Sequence, residues 1–184
     1  MTWMIDPAHT QITFSVRHMM IATVRGRFEN FEGVVAFDEQ HPERTSVDLK
    51  IDTASINTRE PNRDGHLRSP DFFAAETYPY AIFKSKRVDV KGDRRARLVG
   101  DLTIRDVTKE VAIDVEYAGQ ARSPWGAVSA GFSGRAKINR KDWGLTWNQA
   151  LETGGVLVGD EVTLDLGVEL IKQVQPQAEA VATV

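Results

Sequence analysis

The stretch Glu161-Val162-Thr163-Leu164-Asp165-Leu166-Gly167-Val168-Glu169-Leu170 decides the fold class, because every second residue is apolar and those between are charged, polar or glycine. A period of two puts one set of side chains on each face of an extended chain, which is the pattern of a half-buried β-strand and not of a helix. The same alternation recurs upstream. Val111, Ile113, Val115 and Tyr117 alternate with Ala112, Asp114 and Glu116, Val47, Leu49 and Ile51 with Ser46, Asp48 and Lys50, and Ile12, Phe14 and Val16 with Gln11, Thr13, Ser15 and Arg17. Segments 24–28, 33–37, 80–90 with a break near Lys86, 96–104 and 128–138 extend the set to about eight to ten strands. The chain reads as all-β.

Linkers such as Lys91-Gly92-Asp93-Arg94 and Arg105-Asp106-Val107-Thr108 are short and polar, so neighbouring strands are hairpin-connected and antiparallel, with no room for crossover helices. Gly26, Gly100, Gly131, Gly134 and Gly167 fall inside strand patterns, where they permit bulges and corners and favour a closed barrel over a sandwich. Two segments break the alternation. Ser69-Pro70 reads as an N-cap and first helical residue leading a short helix through Asp71, Phe72 and Phe73, and 147–152 as one helical turn stopped by Gly154-Gly155. From Gln173 onward the composition offers little to bury, so 1–172 is expected to form a single domain and 173–184 a disordered tail.

Composition narrows the function. With 184 residues, 41% hydrophobic and 27% charged, the chain suits one globular domain and neither a membrane bundle nor a disordered polymer. A net charge of −3 repels phosphate backbones, so nucleic acid is not an expected partner. The absence of cysteine excludes disulfides, thiolate metal sites and a cysteine nucleophile. No apolar run approaches the ~18 residues of a spanning helix, so stable membrane insertion is not expected. The start Met1-Thr2-Trp3-Met4-Ile5-Asp6-Pro7 has no basic leader, from which a cytoplasmic location is expected.

Chemistry is signalled weakly. His9, His18, His41 and His66 never pair at the short helical spacing of metal sites, so no metal or cofactor is expected. His18 follows Ile12, Phe14 and Val16 on one strand face and should point inward near a strand end. Asp64 and His66 could serve acid–base chemistry, or could simply pair locally with Arg63 and Arg68. Gly131-Phe132-Ser133-Gly134 does not complete a nucleophile elbow. Gly154-Gly155-Val156-Leu157-Val158-Gly159 has phosphate-loop glycines, but Asp160 and Glu161 stand where a lysine and a hydroxyl are required. There remain the aromatic residues Phe14, Phe28, Phe31, Phe72, Phe73, Phe132, Trp143 and Trp147, with Met19 and Met20. They suit an ordinary core, but an eight-stranded barrel is also just wide enough to hold one small ligand among such side chains.

Several blocks in order along the chain carry a family resemblance. They are Asp6-Pro7-Ala8-His9, Arg17-His18-Met19-Met20, Thr23-Val24-Arg25-Gly26-Arg27-Phe28 and Arg63-Asp64-Gly65-His66-Leu67-Arg68-Ser69-Pro70-Asp71-Phe72-Phe73. Gly100-Asp101-Leu102-Thr103-Ile104, Asn139-Arg140-Lys141-Asp142-Trp143-Gly144-Leu145 and Glu152-Thr153-Gly154-Gly155-Val156-Leu157-Val158-Gly159-Asp160 complete the set. Together they resemble the YceI-like family. The resemblance implies an extended eight-stranded lipocalin-like antiparallel barrel, usually a homodimer, that binds polyisoprenoids or related long-chain amphiphiles in an internal pore. It implies a binding protein rather than an enzyme. Phe14, Val16, Phe28, Leu102 and Phe132 are then expected to face the interior. His18, Arg63, Asp64 and His66 are expected to gather at the pore mouth around the ligand's polar end, with Phe72 and Phe73 across one opening and Met20, Trp143 and Trp147 completing the binding set. Two other readings stay open: an enzyme using His18, His66 and Asp64 at that mouth, or a packed barrel serving as an interaction protein.

Overall fold

A computed structural model describes residues 2–173. The strands are β1 (Thr2–Ile5), β2 (Gln11–His18), β3 (Ala22–Phe28), β4 (Phe31–Ala36), β5 (Ser46–Asp52), β6 (Ile56–Asn57), β7 (Tyr80–Val90), β8 (Arg95–Ile104), β9 (Val107–Arg122), β10 (Val128–Asn139) and β11 (Val158–Lys172), with a single α-helix, α1 (Pro61–Arg68), among the described residues. The excess over eight comes from breaks in the first three long strands. β1 and β2 both pair with β11, β3 pairs with β2 and β4 with β1, and β6 pairs with β3 and β5 with β4, so each couple forms one interrupted strand. The result is a closed eight-stranded antiparallel barrel in which every strand pairs with its neighbours in sequence and β11 returns to β1.

This order gives the barrel two unlike ends. Connections 19–21, 58–79, 105–106 and 140–157 lie at one end, here the capped end, and connections 37–45, 91–94 and 123–127 at the other, the hairpin end. The two long connections lie together at the capped end. Their contact is direct: the ring of Trp147 lies 4.5 Å from His66 and 5.6 Å from Phe72. Trp143 reaches over that end and donates its indole N–H to the carbonyl of Leu102 at 2.9 Å.

The apolar alternation faces inward and the charges outward. Arg97 pairs with Asp114, Arg135 with Asp165 and Lys137 with Glu161 across neighbouring strands on the outer surface. A barrel that spans a bilayer has the opposite arrangement, an apolar outer band. The break expected near Lys86 is a register shift between Ser85 and Arg87, and another falls at Gly131/Phe132. Two strand glycines serve close approach instead. A Cβ on Gly26 would collide with the ring of Phe14, and one on Gly100 would lie 2.5 Å from the carbonyl oxygen of Lys84.

Both helical expectations need correction. The helix lies before Ser69-Pro70: Glu60 caps α1 by accepting the N–H groups of Asn62 and Arg63, and Pro61 occupies its first turn. Pro70 cannot continue a helix, because it disfavours helical backbone at Ser69 and lacks an N–H. Phe72 and Phe73 therefore sit in tight turns, with the Phe72 N–H on the carbonyl of Ser69 and that of Phe73 on Leu67. No helical turn forms over 147–152. Ala150 bridges to Val156 and the chain reverses through Gly154 and Gly155, both at positive φ, while a 3-10 turn forms earlier in the same connection, at Arg140–Trp143. Of the tail expected from Gln173, only Gln173 is described, its N–H donated to the carbonyl of Thr2; 174–184 lie outside the described residues.

Candidate ligand cavity

Inward-facing side chains in an eight-stranded barrel can meet at the axis or leave a void. Here they leave one of about 480 Å³, within the ~300–1,000 Å³ usual for small-molecule sites. Every barrel strand contributes to its wall. Along β8 alone it is touched by Arg95, Ala96, Leu98, Leu102 and Ile104. Nine residue steps at ~3.3 Å, tilted by ~40°, correspond to roughly 23 Å along the axis. The cavity is long and narrow. Its wall is aliphatic and aromatic, and many of the side chains that form it, among them Phe14, Val16, Phe28, Leu49, Leu98, Phe132, Leu164 and Leu166, are only half-buried although they point inward.

The two ends differ in polarity. At the capped end the wall is closed by Phe72, Trp143 and Leu145, each no more than 6% exposed. Arg140 is also buried there, and its guanidinium donates to the carbonyls of Leu145, Trp147, Val158 and Gly159. Burial pushes its pKa below the ordinary arginine value while Asp160 opposes the shift. Apart from Ser133 in mid-strand, the exposed residues on the wall are Glu39, Val90, Gly92, Asp93, Arg94 and Arg95, all at the hairpin end. The cavity thus surfaces beside the β7–β8 turn. Connection 37–45 straps the rest of that end: Glu39 accepts the Tyr117 hydroxyl at 2.8 Å and the Gln120 amide at 3.0 Å, and Phe37 stacks near Tyr117 and Phe132. Desolvation, followed by the Glu39 carboxylate, raises the Tyr117 pKa.

Eight of the residues expected in the binding set lie on the cavity wall: Phe14, Val16, Phe28, Phe72, Phe73, Leu102, Phe132 and Trp143. His18, Met20, Asp64, His66 and Trp147 do not. His18 closes β2 opposite Ala22 and Val158, and Met20 is 60% exposed in the turn that follows. Asp64 is buried and accepts both the N–H and the hydroxyl of Thr58, to which Arg63 also donates. His66 holds Asp71 at 2.8 Å and packs on Phe72 and Trp147. His18, Arg63, Asp64 and His66 do lie at one barrel end, but it is the capped end, and His18 pairs with Val158 and Ala22 while Asp64 and His66 bond to Thr58 and Asp71. The hairpin-end rim of Glu39, Val90 and 92–95 was missed, because in the sequence Lys91-Gly92-Asp93-Arg94 reads only as a polar turn.

Among the described residues, one set of carboxylates and imidazole comes close enough to share a cation: Asp6, His9 and Glu169, on the outside where β1 bends into β2. His9 Nδ1 is 2.6 Å from Asp6 and 4.0 Å from Glu169. Asp6 Oδ1 also accepts the Ala8 N–H, so the group braces the bend. No helix is long and apolar enough to cross a membrane among the described residues.

The family model for the YceI-like domain matches residues 3–170. A UPF0312 protein of Staphylococcus aureus is 36% identical over 165 residues, covering 89% of this chain and 94% of its own. A Campylobacter jejuni YCEI protein of solved structure is similar at 32% identity with a TM-score of 0.74, covering 86% of this chain and 90% of that one. Burkholderia cenocepacia BcnA (24%, TM-score 0.79, covering 92% and 99%) and a polyisoprenoid binding domain from Saccharophagus degradans (15%, TM-score 0.67, covering 93% and 98%) share the fold.

Proposed function

The chain belongs to the YceI-like domain family, and from that premise we propose that it binds a polyisoprenoid or a related long-chain amphiphilic lipid in the barrel interior, for storage, transport or sequestration. The observation that carries the reading is the half-buried state of inward-facing Phe14, Val16, Phe28, Phe132 and Leu164, which a packed core would cover completely. At ~24 cal/mol per Å³, leaving such a void dry would cost on the order of 10 kcal/mol, comparable with the ~5–15 kcal/mol of a whole domain's stability. An apolar occupant removes that cost. A fold relative described as polyisoprenoid binding supports the class of ligand.

The shape favours long chains. Burial contributes ~0.8 kcal/mol per methylene-sized group, so one five-carbon unit gives roughly 4 kcal/mol, while association costs about 4–15 kcal/mol. Several units must enter before micromolar binding is reached, and short terpenes bind poorly. The same reading includes a homodimer, which analytical ultracentrifugation at micromolar concentration tests; a single 20.5 kDa species would reject it. For the cavity, Phe14→Arg and Phe132→Arg place a charge in the apolar wall and should abolish uptake of a fluorescent polyisoprenoid analogue. A folded variant that binds as tightly as the parent would sink the reading.

A further inference from the structure

Trp125 is the one tryptophan the fold leaves in solvent: Trp3 and Trp143 are 2% exposed, Trp147 is half-buried, and Trp125 is 91% exposed. It sits between Pro124 and Gly126 at the tip of the β9–β10 turn, which is held by the Ser123 N–H on Ala127, the Gly126 N–H on Ser123 and the Ala127 N–H on the Ser123 hydroxyl. The ring is thus presented by an ordered turn. That turn also projects. It reaches past β8, which begins at Arg95 opposite Glu116, because the β9–β10 ladder continues to Arg122 opposite Val128, six residues or about 20 Å along the strand, with β11 alongside as far as Ile171 opposite Ser129. The projection is at the hairpin end, where the cavity surfaces beside 92–95.

The charge around it is not that of the whole protein. In and beside the two neighbouring turns stand Lys91, Arg94, Arg95 and Arg122 against Asp93, and connection 37–45 at the same end adds Asp38, Glu39 and Glu43 against Arg44, which leaves this end at +1 in a chain of net charge −3. Among the described residues none of the cations Lys91, Arg94, Arg95 and Arg122 lies within ion-pair distance of a carboxylate, unlike Arg97, Arg135 and Lys137 on the barrel wall, although Arg25, Lys84 and Lys109 on the strands also lack one. Indole is an apolar ring with one N–H donor and concentrates at the boundary between lipid headgroups and acyl chains, and unpaired cations beside it attract lipid phosphates.

We propose that the hairpin end docks reversibly on anionic lipid bilayers. Trp125 lies among the headgroups and Arg122, at the foot of its turn, faces the lipid phosphates, while Lys91, Arg94 and Arg95 lie with the cavity rim about 20 Å behind the tip, on the end turned toward the membrane. The barrel rests on the surface without spanning it. The proposal extends the lipid-binding reading by naming the phase with which cargo is exchanged, while docking itself stands on Trp125 and the cations.

The test is flotation of the full chain with vesicles of phosphatidylglycerol and phosphatidylcholine in equal parts, beside vesicles of phosphatidylcholine alone. The protein should float with the anionic vesicles only, its tryptophan emission should shift to the blue, and about 1 M salt, with a Debye length of ~3 Å, should release it. Trp125→Ser should lose the blue shift, and Trp125→Ser and Arg122→Glu should each lower the bound fraction at least tenfold with an unchanged melting temperature. No binding by the parent protein, or equal binding by Trp125→Ser, overturns the proposal. So does a Trp125→Ser variant whose only change is conversion of a dimer to a monomer, which would give the tip to a second copy. Uptake of the fluorescent polyisoprenoid analogue without vesicles is measured in parallel. Retained uptake with no docking removes this proposal alone, and docking without uptake removes the cavity reading alone.

Discussion

Asp64 illustrates at a single residue how a suggestive sequence resolves into structure. Its buried carboxylate accepts two hydrogen bonds from Thr58, and the Arg63 guanidinium completes the cluster at the Thr58 hydroxyl and carbonyl. Asp64→Ala leaves the Thr58 donors unsatisfied in a buried place and should lower the unfolding free energy by about 2 kcal/mol. Affinity for the fluorescent analogue should be unchanged, as titration of the folded variant would show; lost affinity at full stability would return Asp64 to the ligand's polar end. A second prediction concerns pH. The hydrogen bond from His9 holds Asp6 below its ordinary pKa of 3.8, and Asp6 holds His9 above its ordinary 6.5. The stability contributed through Asp6 is present above 3.8 and is lost as pH falls through its depressed value; that contributed through His9 is complete below 6.5 and is lost as pH rises through its elevated value. The brace between β1 and β2 is therefore strongest between those limits. Amide exchange at Ala8, which bonds to Asp6, should quicken on either side after correction for intrinsic rates, and His9→Ala should remove the alkaline limb.

Among the elements, connection 140–157 depends on Arg140, whose guanidinium gathers four carbonyl oxygens from both sides of the connection. Arg140→Met fills similar volume but leaves those acceptors unpaired. It should destabilise by about 3 kcal/mol in chemical unfolding and raise the emission of Trp147, released from His66. The strands needed no such tertiary detail. Val111 to Tyr117 and Val162 to Leu170 alternate cleanly because each has one wet and one dry face, and they formed where the alternation places them. The helix was misread because Ser69-Pro70 is a familiar start signal, whereas Glu60-Pro61 is a less usual cap whose carboxylate must swing back onto two N–H groups. The turn at Met19 and Met20 carries no glycine or asparagine, yet both residues adopt positive φ under the demand of β2–β3 pairing.

For the whole molecule, occupancy of the cavity should be visible as stability. Ligand at about a hundred times its Kd adds ~2.7 kcal/mol, which for a chain of this length is a rise in Tm of about 5–10 °C. Calorimetry of delipidated protein with and without a long polyisoprenol checks this, and a flat Tm would argue for a cavity without affinity. The cavity wall was legible in the sequence to the extent that alternation assigns faces: Phe14, Val16, Phe28 and Phe132 are where periodicity puts them. Which end is open was not legible. It depends on how Phe72 meets Trp143 and Trp147, far from it in sequence, over one end while Glu39 crosses to Tyr117 at the other.

The ring closes where Trp3 of β1 meets Lys172 of β11. During synthesis the first strand leaves the ribosome long before its partner exists, at ~5–20 residues per second roughly ten to thirty seconds earlier. For that interval the nascent sheet has two free edges and an apolar inner face open to water, so chaperones or another unfinished chain can reach a surface the finished barrel hides. A chain that stops before Val158 never leaves that state, and even a short C-terminal truncation into β11 should yield aggregates rather than a weaker binder.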